Sequence, residues 1–146
     1  MAQGHAVGSM IGNGKANVIL SPKEISKFRP GDVLVTDMTD PDWEPIMKVA
    51  SAIVTNRGGR TCHAAIISRE LGIPCVIGTK TGADVIKDGM EITIDCSEGI
   101  GNVYEGIVNF HIDEVDLGKM PKTKTKVMMN VGTPEKAFVQ AQIPCE

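Results

Sequence analysis

The stretch NRGGRTCHAAIISRELGIP, Asn56–Pro74, predicts a helix that is entered through a glycine loop. Ala64, Ile67 and Leu71 have the i, i+3, i+7 spacing of a single apolar helix face. Gly72 suits the left-handed residue that commonly ends a helix, and a proline lies just beyond it. Short apolar runs, AIVTN before the loop and PCVIG after the helix, predict strands on both sides. The segment therefore predicts a strand, a loop, a helix and a second strand.

Strands and short helices are predicted to alternate along the rest of the first hundred residues. The predicted strands are 16–20, 32–38, 52–56 and 74–78, followed by a hairpin of MEITIDCSEG and GNVYEG, 90–99 and 101–106. Short helices are predicted after Ser21, after Thr39 or Asp40, and within 81–89. The glycine-rich start, GHAVGSMIGNGKA, is interpreted as a loop that leads into the first strand.

The pattern changes after Gly106. Residues 107–126 show no sustained period and end in a run rich in lysine, which is typical of a linker. Residues 127–146 begin a new strand, turn and helix, which cannot bury a core by themselves. The sequence thus predicts one domain over 1–106, a linker over 107–126 and the start of a second domain over 127–146.

Composition restricts the classes of function. The net charge is −3 and no basic face is evident, which argues against nucleic acid as a partner. No apolar run is long enough to cross a membrane, and no secretory signal is recognised. The four cysteines contain no CxxC pair, so we interpret them as reduced thiols of a cytoplasmic protein and predict no metal site.

The glycine loop and the helix start together predict an anion site. The first N–H groups of a helix have no intrahelical acceptor and carry partial positive charge, and Arg60 adds a planar donor suited to phosphate. Thr61 is the expected N-cap. His63 lies in the first turn, where we expect an exposed ring with Arg60 nearby. The residues leave three roles open: His63 binds the phosphate of a ligand, carries a phosphoryl group covalently, or is an ordinary helix-start histidine.

A family resemblance favours the covalent role. The segment 58–79 closely resembles the phosphohistidine segment of the phosphoenolpyruvate-utilising enzymes. The family pattern, Gly-Gly-x-Thr-x-His-small-small, is matched by Gly58, Gly59, Thr61, His63, Ala64 and Ala65. The resemblance extends upstream over 33–56, and 127–138 resembles the opening strand and helix of the family's (β/α)8 domain.

The resemblance implies an α/β fold, a compact three-layer β/β/α swivelling domain over 1–106, and a truncated start of a (β/α)8 barrel over 127–146. It implies that His63 is the catalytic phosphocarrier and that Gly58, Gly59, Arg60 and Thr61 support the phosphoryl site. The branch resembled most converts ATP, pyruvate and water to AMP, phosphoenolpyruvate and phosphate. ATP and Mg²⁺ would be bound by the partner domains, an ATP-grasp domain and the barrel, and no cofactor is expected here. The chain alone is therefore expected to be inactive.

Two alternative functions remain open. The chain could be a carrier like enzyme I of the sugar phosphotransferase system, or an interaction domain without catalysis.

Three neighbouring features carry further predictions. The resemblance makes Thr61 a candidate for regulatory phosphorylation by a kinase/phosphorylase, since added negative charge would repel an incoming phosphoryl group. Cys62 is expected to be a small buried or half-buried residue rather than a catalytic thiol, because adjacent helix residues do not face each other. TDPDW, 39–43, is interpreted as a helix cap or, with Trp43 exposed, a docking loop.

Overall fold

A computed structural model describes residues 1–113, and beyond them 116, 119, 124–126, 128–131, 137, 138 and 140–143. Contacts divide the chain into one unit over 1–109 and another over 110–146. The predicted linker and barrel start fall largely in the second unit, and several of their residues, including 127 and 132–136, lie outside the described residues. Those two assignments stay predictions. None of the helices formed by the described residues has the length and apolar character needed to cross a bilayer.

Seven strands form one closed sheet in the first unit, in the order β1-β5-β4-β3-β2-β6-β7. The strands are β1 (Ala2–Val7), β2 (Ile11–Val18), β3 (Val33–Thr36), β4 (Ala52–Thr55), β5 (Cys75–Ile77), β6 (Glu91–Asp95) and β7 (Ile100–Glu105). Neighbours from β2 through β5 are parallel, and all other pairs are antiparallel. The helices are α1 (Glu44–Met47), α2 (His63–Leu71) and α3 (Gly82–Val85), with 3-10 helices at Pro22–Lys27 and Pro41–Trp43.

The predicted elements between residues 21 and 106 are confirmed, with shorter bounds for most of them. Ser21 begins the first 3-10 helix and its hydroxyl accepts from the Lys23 N–H. Asp40, not Thr39, is the N-cap of the second, where its carboxylate accepts from the Asp42 N–H at 2.9 Å. Gly72 ends α2 at a φ of 70°, as the sequence predicts. The hairpin is formed by β6 and β7, which pair antiparallel.

The predicted loop at the start of the chain is wrong, because 2–7 and 11–18 are strands. Gly4 and Gly12 in this segment serve close packing rather than a turn. A Cβ on Gly4 would lie 2.4 Å from the carbonyl oxygen of Ile77, and one on Gly12 would lie 2.8 Å from that of Ser51. Larger residues would push the neighbouring backbone away.

Two apolar cores confirm the α/β class with β/β/α layering. Along the parallel strands, side chains alternate between them. Leu34 and Ile53 pack with α1 and α2, whereas Val35 and Val54 point into the closed sheet, where Ile94 of the hairpin meets them. Two layers of strands thus enclose one core, and a layer of helices covers the other.

Trp43 belongs to the helix-side core and is 2% exposed. The interpretation of TDPDW as a docking loop with an exposed tryptophan is therefore wrong. The large aromatic ring anchors the start of α1 against the sheet. This contact fixes the path of residues 39–44 across the helix side of the fold.

The buried thiol of Cys75 makes stability depend on pH above neutrality. Burial raises its pKa, so the thiol keeps its proton in the folded state while the unfolded thiol ionises near pH 8.5. The unfolded state then binds fewer protons, and the free energy of unfolding falls as pH rises, by up to about 1.4 kcal/mol per pH unit for this thiol. Urea unfolding of the chain and of Cys75→Ala at pH 8, 9 and 10 should show a shallower decline in the variant. If the free energy of unfolding fell equally steeply with pH in both proteins, Cys75 would not be the source of the pH dependence, whatever their difference in stability at pH 7.

Candidate functional site

The candidate site lies at the carboxyl end of β4, where residues 56–62 lead into α2. The base of this loop is fixed by backbone bonds from Asn56 N–H to the Thr36 carbonyl at 3.1 Å and from Arg57 N–H to the Asp37 carbonyl at 2.9 Å. The Asn56 side-chain oxygen also accepts from the Ala83 N–H at 2.8 Å, which ties the loop to α3. The loop therefore leaves the sheet from a rigid base.

Gly58 and Gly59 differ in how strictly their positions in the loop require glycine. Gly58 has a φ of 126°, and a Cβ there would lie 2.8 Å from Cys62 Sγ, so this position requires glycine. A Cβ added at Gly59 would meet no atom within 4 Å, and the carbonyl of this residue accepts from the Cys62 N–H at 2.9 Å. That bond closes a turn with Arg60 and Thr61 at its centre, and both of these residues are exposed.

The helix start offers unpaired backbone donors. Cys62 is the N-cap of α2 and makes no side-chain capping bond, so the prediction that Thr61 caps the helix is wrong. The thiol is half-buried, as predicted. Because no side chain caps this end of α2, the first-turn N–H groups are available to an anion, and the helix dipole favours negative charge there.

His63 is the first residue of α2, and its ring is held on one side only. Nδ1 lies 3.0 Å from Thr39 Oγ1, whereas Nε2 is buried and has no hydrogen-bond partner. The nearest charged group to Nε2 is the Glu44 carboxylate, with Oε1 at 3.7 Å. The side chain is 21% exposed, so the ring is half-buried rather than exposed as expected, yet it is not sealed in the apolar core. Residues 39–44 pack over it.

A pocket of about 230 Å³ opens beside the ring. Its lining residues are Met38, Thr39, Arg57, Gly58, Cys62, His63 and Ala64. The cation at this pocket is therefore Arg57, and the expected neighbour Arg60 is not part of the lining. Arg57 Nε donates to Asp37 Oδ2 at 2.8 Å, and this bond lowers the pKa of the Asp37 carboxyl. Arg57 thus lines the pocket while its guanidinium pairs with Asp37.

The sequence-based prediction of the phosphoryl site does not include three of its side chains, Thr39, Glu44 and Arg57. One signal could have indicated Thr39 and Glu44: the segment TDPDWE follows β3. Because β3 and β4 are parallel neighbours, their carboxyl ends lie at the same side of the sheet.

Within the described part of the chain, no three His, Cys, Asp or Glu side chains lie together as metal ligands would. Cys75 and Cys96 are buried, and Cys145 lies outside the described residues.

Comparisons with known proteins agree with the geometry. A family model described as the mobile domain of PEP-utilising enzymes matches residues 28–99. The phosphoenolpyruvate synthase of Synechocystis is 56% identical over 100% of this chain and 18% of its own length. That of Escherichia coli K12 is 55% identical over 100% of this chain and 19% of its own. The chain thus spans less than a fifth of these relatives.

The fold also has a counterpart of different sequence. A crystal structure of aconitase X from Thermococcus kodakaraensis is 17% identical, covers 71% of this chain and 98% of that one, and gives a TM-score of 0.51. At this identity the likeness concerns the fold alone.

Proposed function

Because this chain belongs to the phosphoenolpyruvate-utilising enzymes, as their mobile domain, we propose that it is the phosphohistidine carrier of a phosphoenolpyruvate synthase. His63 is the proposed carrier. The observation that supports this most is the asymmetry of its ring: Thr39 holds Nδ1 at 3.0 Å, while Nε2 has no hydrogen-bond partner. The similar proteins are phosphoenolpyruvate synthases, which favours this branch over an enzyme I-like carrier.

The ring environment supports a definite chemistry. With the proton on Nδ1 donated to Thr39 Oγ1, the lone pair resides on Nε2. Nε2 attacks phosphorus, the N–P bond forms, and the P–O bond to the donor breaks with its electron pair going to the leaving oxygen. In the second transfer an enolate oxygen of pyruvate attacks phosphorus and the N–P bond breaks. The Thr39 hydroxyl can donate as well as accept, so it suits both protonation states of the ring.

Charge at the loop would stabilise the transferred group. We propose that phosphoryl oxygens accept from first-turn N–H groups of α2 and from Arg57, and that Gly58 and Gly59 let them approach the backbone. Arg60, exposed on the turn, is proposed to contribute once donor or acceptor domains close on the site. This extends the predicted set of supporting residues by Arg57.

The remaining parts of the reaction belong to other domains in this proposal. An ATP-grasp domain would bind ATP, a (β/α)8 barrel would bind pyruvate with Mg²⁺, and the enzyme would act in the cytoplasm. The overall reaction would be ATP + pyruvate + H₂O → AMP + phosphoenolpyruvate + phosphate. ATP thereby loses two phosphoryl groups: one reaches pyruvate through His63, and water cleaves the other off as phosphate. The chain alone would then accept a phosphoryl group but complete no turnover.

Transfer in trans tests the proposal. The chain is mixed with Mg²⁺, ³²P-labelled phosphoenolpyruvate and a full-length E. coli relative whose own carrier histidine is replaced. We expect label on the chain that is lost in acid and retained in base. The same relative with its histidine intact is the positive control. An unlabelled chain alongside a labelled positive control would overturn the carrier role.

Thr61 is proposed as a regulatory phosphorylation site, since it is exposed on the turn two residues before His63. A negative charge there should repel the incoming phosphoryl group. We expect Thr61→Asp to slow labelling by about tenfold through this repulsion. Thr61→Asn has the same shape without the charge and should label nearly as fast as the unmodified chain. Equal initial rates for the two variants would contradict an electrostatic block.

A further inference from the structure

The Glu44 side chain lies between two cationic or potentially cationic groups. Its Oε1 is 3.7 Å from His63 Nε2, and its Oε2 is 3.9 Å from Lys48 Nζ. Both distances exceed that of a hydrogen bond. The carboxylate is 37% exposed and the Lys48 side chain is 60% exposed. The Glu44 carboxylate is therefore attracted to both groups but forms a hydrogen bond with neither.

A phosphoryl group on His63 conflicts with this position of Glu44. Nε2 is buried, so bonding phosphorus to it requires neighbouring atoms to move. The carboxylate stands on the Nε2 side of the ring, where the three phosphoryl oxygens would have to lie. Two anions at that separation also repel, and the partly buried setting weakens the screening of this repulsion.

Lys48 offers the carboxylate an alternative partner. It follows Glu44 by four residues, one turn along α1, and a glutamate placed before a lysine at this spacing is the favourable orientation. Rotation of the Glu44 side chain alone would lengthen the contact with His63 and shorten that with Lys48. Trp43 and Met47 anchor α1 in the core, so the side chain rather than the helix is expected to move.

We propose that Glu44 is a displaceable carboxylate, which faces Nε2 of His63 in the unphosphorylated domain and withdraws to Lys48 when the phosphoryl group arrives. This inference rests on the proposed carrier role of His63. Glu44 is a positioning residue in this scheme: it takes no proton and forms no bond to phosphorus. It opposes phosphorylation by small donors in solution, and Lys48 reduces that opposition by holding the withdrawn carboxylate.

Chemical phosphorylation of the chain by phosphoramidate tests the inference without any partner domain. Nε2 attacks the phosphorus, the N–P bond forms, and the P–N bond to ammonia breaks as ammonia leaves. The phosphohistidine signal is followed by ³¹P NMR in the unmodified chain, Glu44→Gln, Lys48→Met and the double variant. Glu24→Gln is the matched control, since Glu24 is similarly exposed and pairs with Lys27 on a different helix.

Removing the Glu44 charge should raise the rate of phosphohistidine formation by about tenfold, and removing Lys48 should lower it by about threefold. The double variant should equal Glu44→Gln, because Lys48 has no carboxylate left to hold. Glu24→Gln should not change the rate. If phosphohistidine forms as fast in the unmodified chain as in Glu44→Gln, the inference about Glu44 is overturned. The same holds if the effects of the two single substitutions add in the double variant. Neither result would overturn the carrier role of His63. Absence of phosphohistidine in every variant would overturn the carrier role and this inference with it.

Discussion

Replacement of His63 by alanine is expected to remove the acid-labile label that the chain acquires from phosphoenolpyruvate, lowering it at least about a thousandfold. The imidazole supplies the nucleophile. Cys62 and Thr39 line the same pocket, but neither has a nitrogen that could form the acid-labile N–P bond. Because the ring is half-buried and makes a single hydrogen bond, the variant should fold. Circular dichroism and thermal unfolding establish this before labelling is measured.

The two other histidines provide matched controls. His5 and His111 are both exposed and lie away from α2 in sequence. His5→Ala and His111→Ala should label like the unmodified chain. Label that persists in His63→Ala, or that disappears in His5→Ala instead, would assign the phosphoryl group to a different residue.

Replacement of Gly4 by alanine is expected to lower the free energy of unfolding by about 3 kcal/mol. The new methyl group would lie 2.4 Å from the Ile77 carbonyl oxygen and 3.0 Å from Val76 Cγ1. The carbonyl belongs to the backbone of β5, which pairs with β1 and cannot shift without disturbing that ladder. Urea unfolding, followed by circular dichroism, measures the loss.

Gly59→Ala is the matched control for this effect. Gly59 has an ordinary φ, and no atom lies within 4 Å of an added Cβ. The same substitution there should change stability by less than about 0.5 kcal/mol. If Gly4→Ala were equally harmless, β1 and β5 would not approach each other as closely as the structure indicates.

The sequence predicts the centre of this fold better than its beginning. Between Ser21 and Gly106, hydrophobic period and most capping residues agree with local structure, as at Asp40 and Gly72, although Thr61 does not cap α2. At the start, Gly4 and Gly12 resemble loop residues, because sequence alone does not distinguish a glycine that frees the backbone from one that makes room for a neighbouring strand. That distinction depends on Ile77 and Ser51, which are distant in the chain.

The candidate site also combines residues that the local sequence identifies with residues that only the fold brings near. The sequence singles out His63 because its glycines, helix start and family pattern are contiguous. Thr39 and Glu44 approach it because β3 and β4 are parallel neighbours and α1 packs beside α2. The sequence favours Arg60 over Arg57 as the nearby cation for a similar reason, because only the fold shows that Arg57 lines the pocket and pairs with Asp37.

The closure of the seven-stranded sheet limits how the proposed carrier can contact other domains. Within residues 1–109, each strand has a hydrogen-bonded neighbour on both sides, so none presents an unpaired edge to another protein. This unit therefore cannot bind another protein by adding a strand to its sheet, a mode of association that is often stable and prone to aggregation. In the proposed function, encounters with the donor and acceptor domains would therefore use loops and side chains, and such contacts can form and release rapidly.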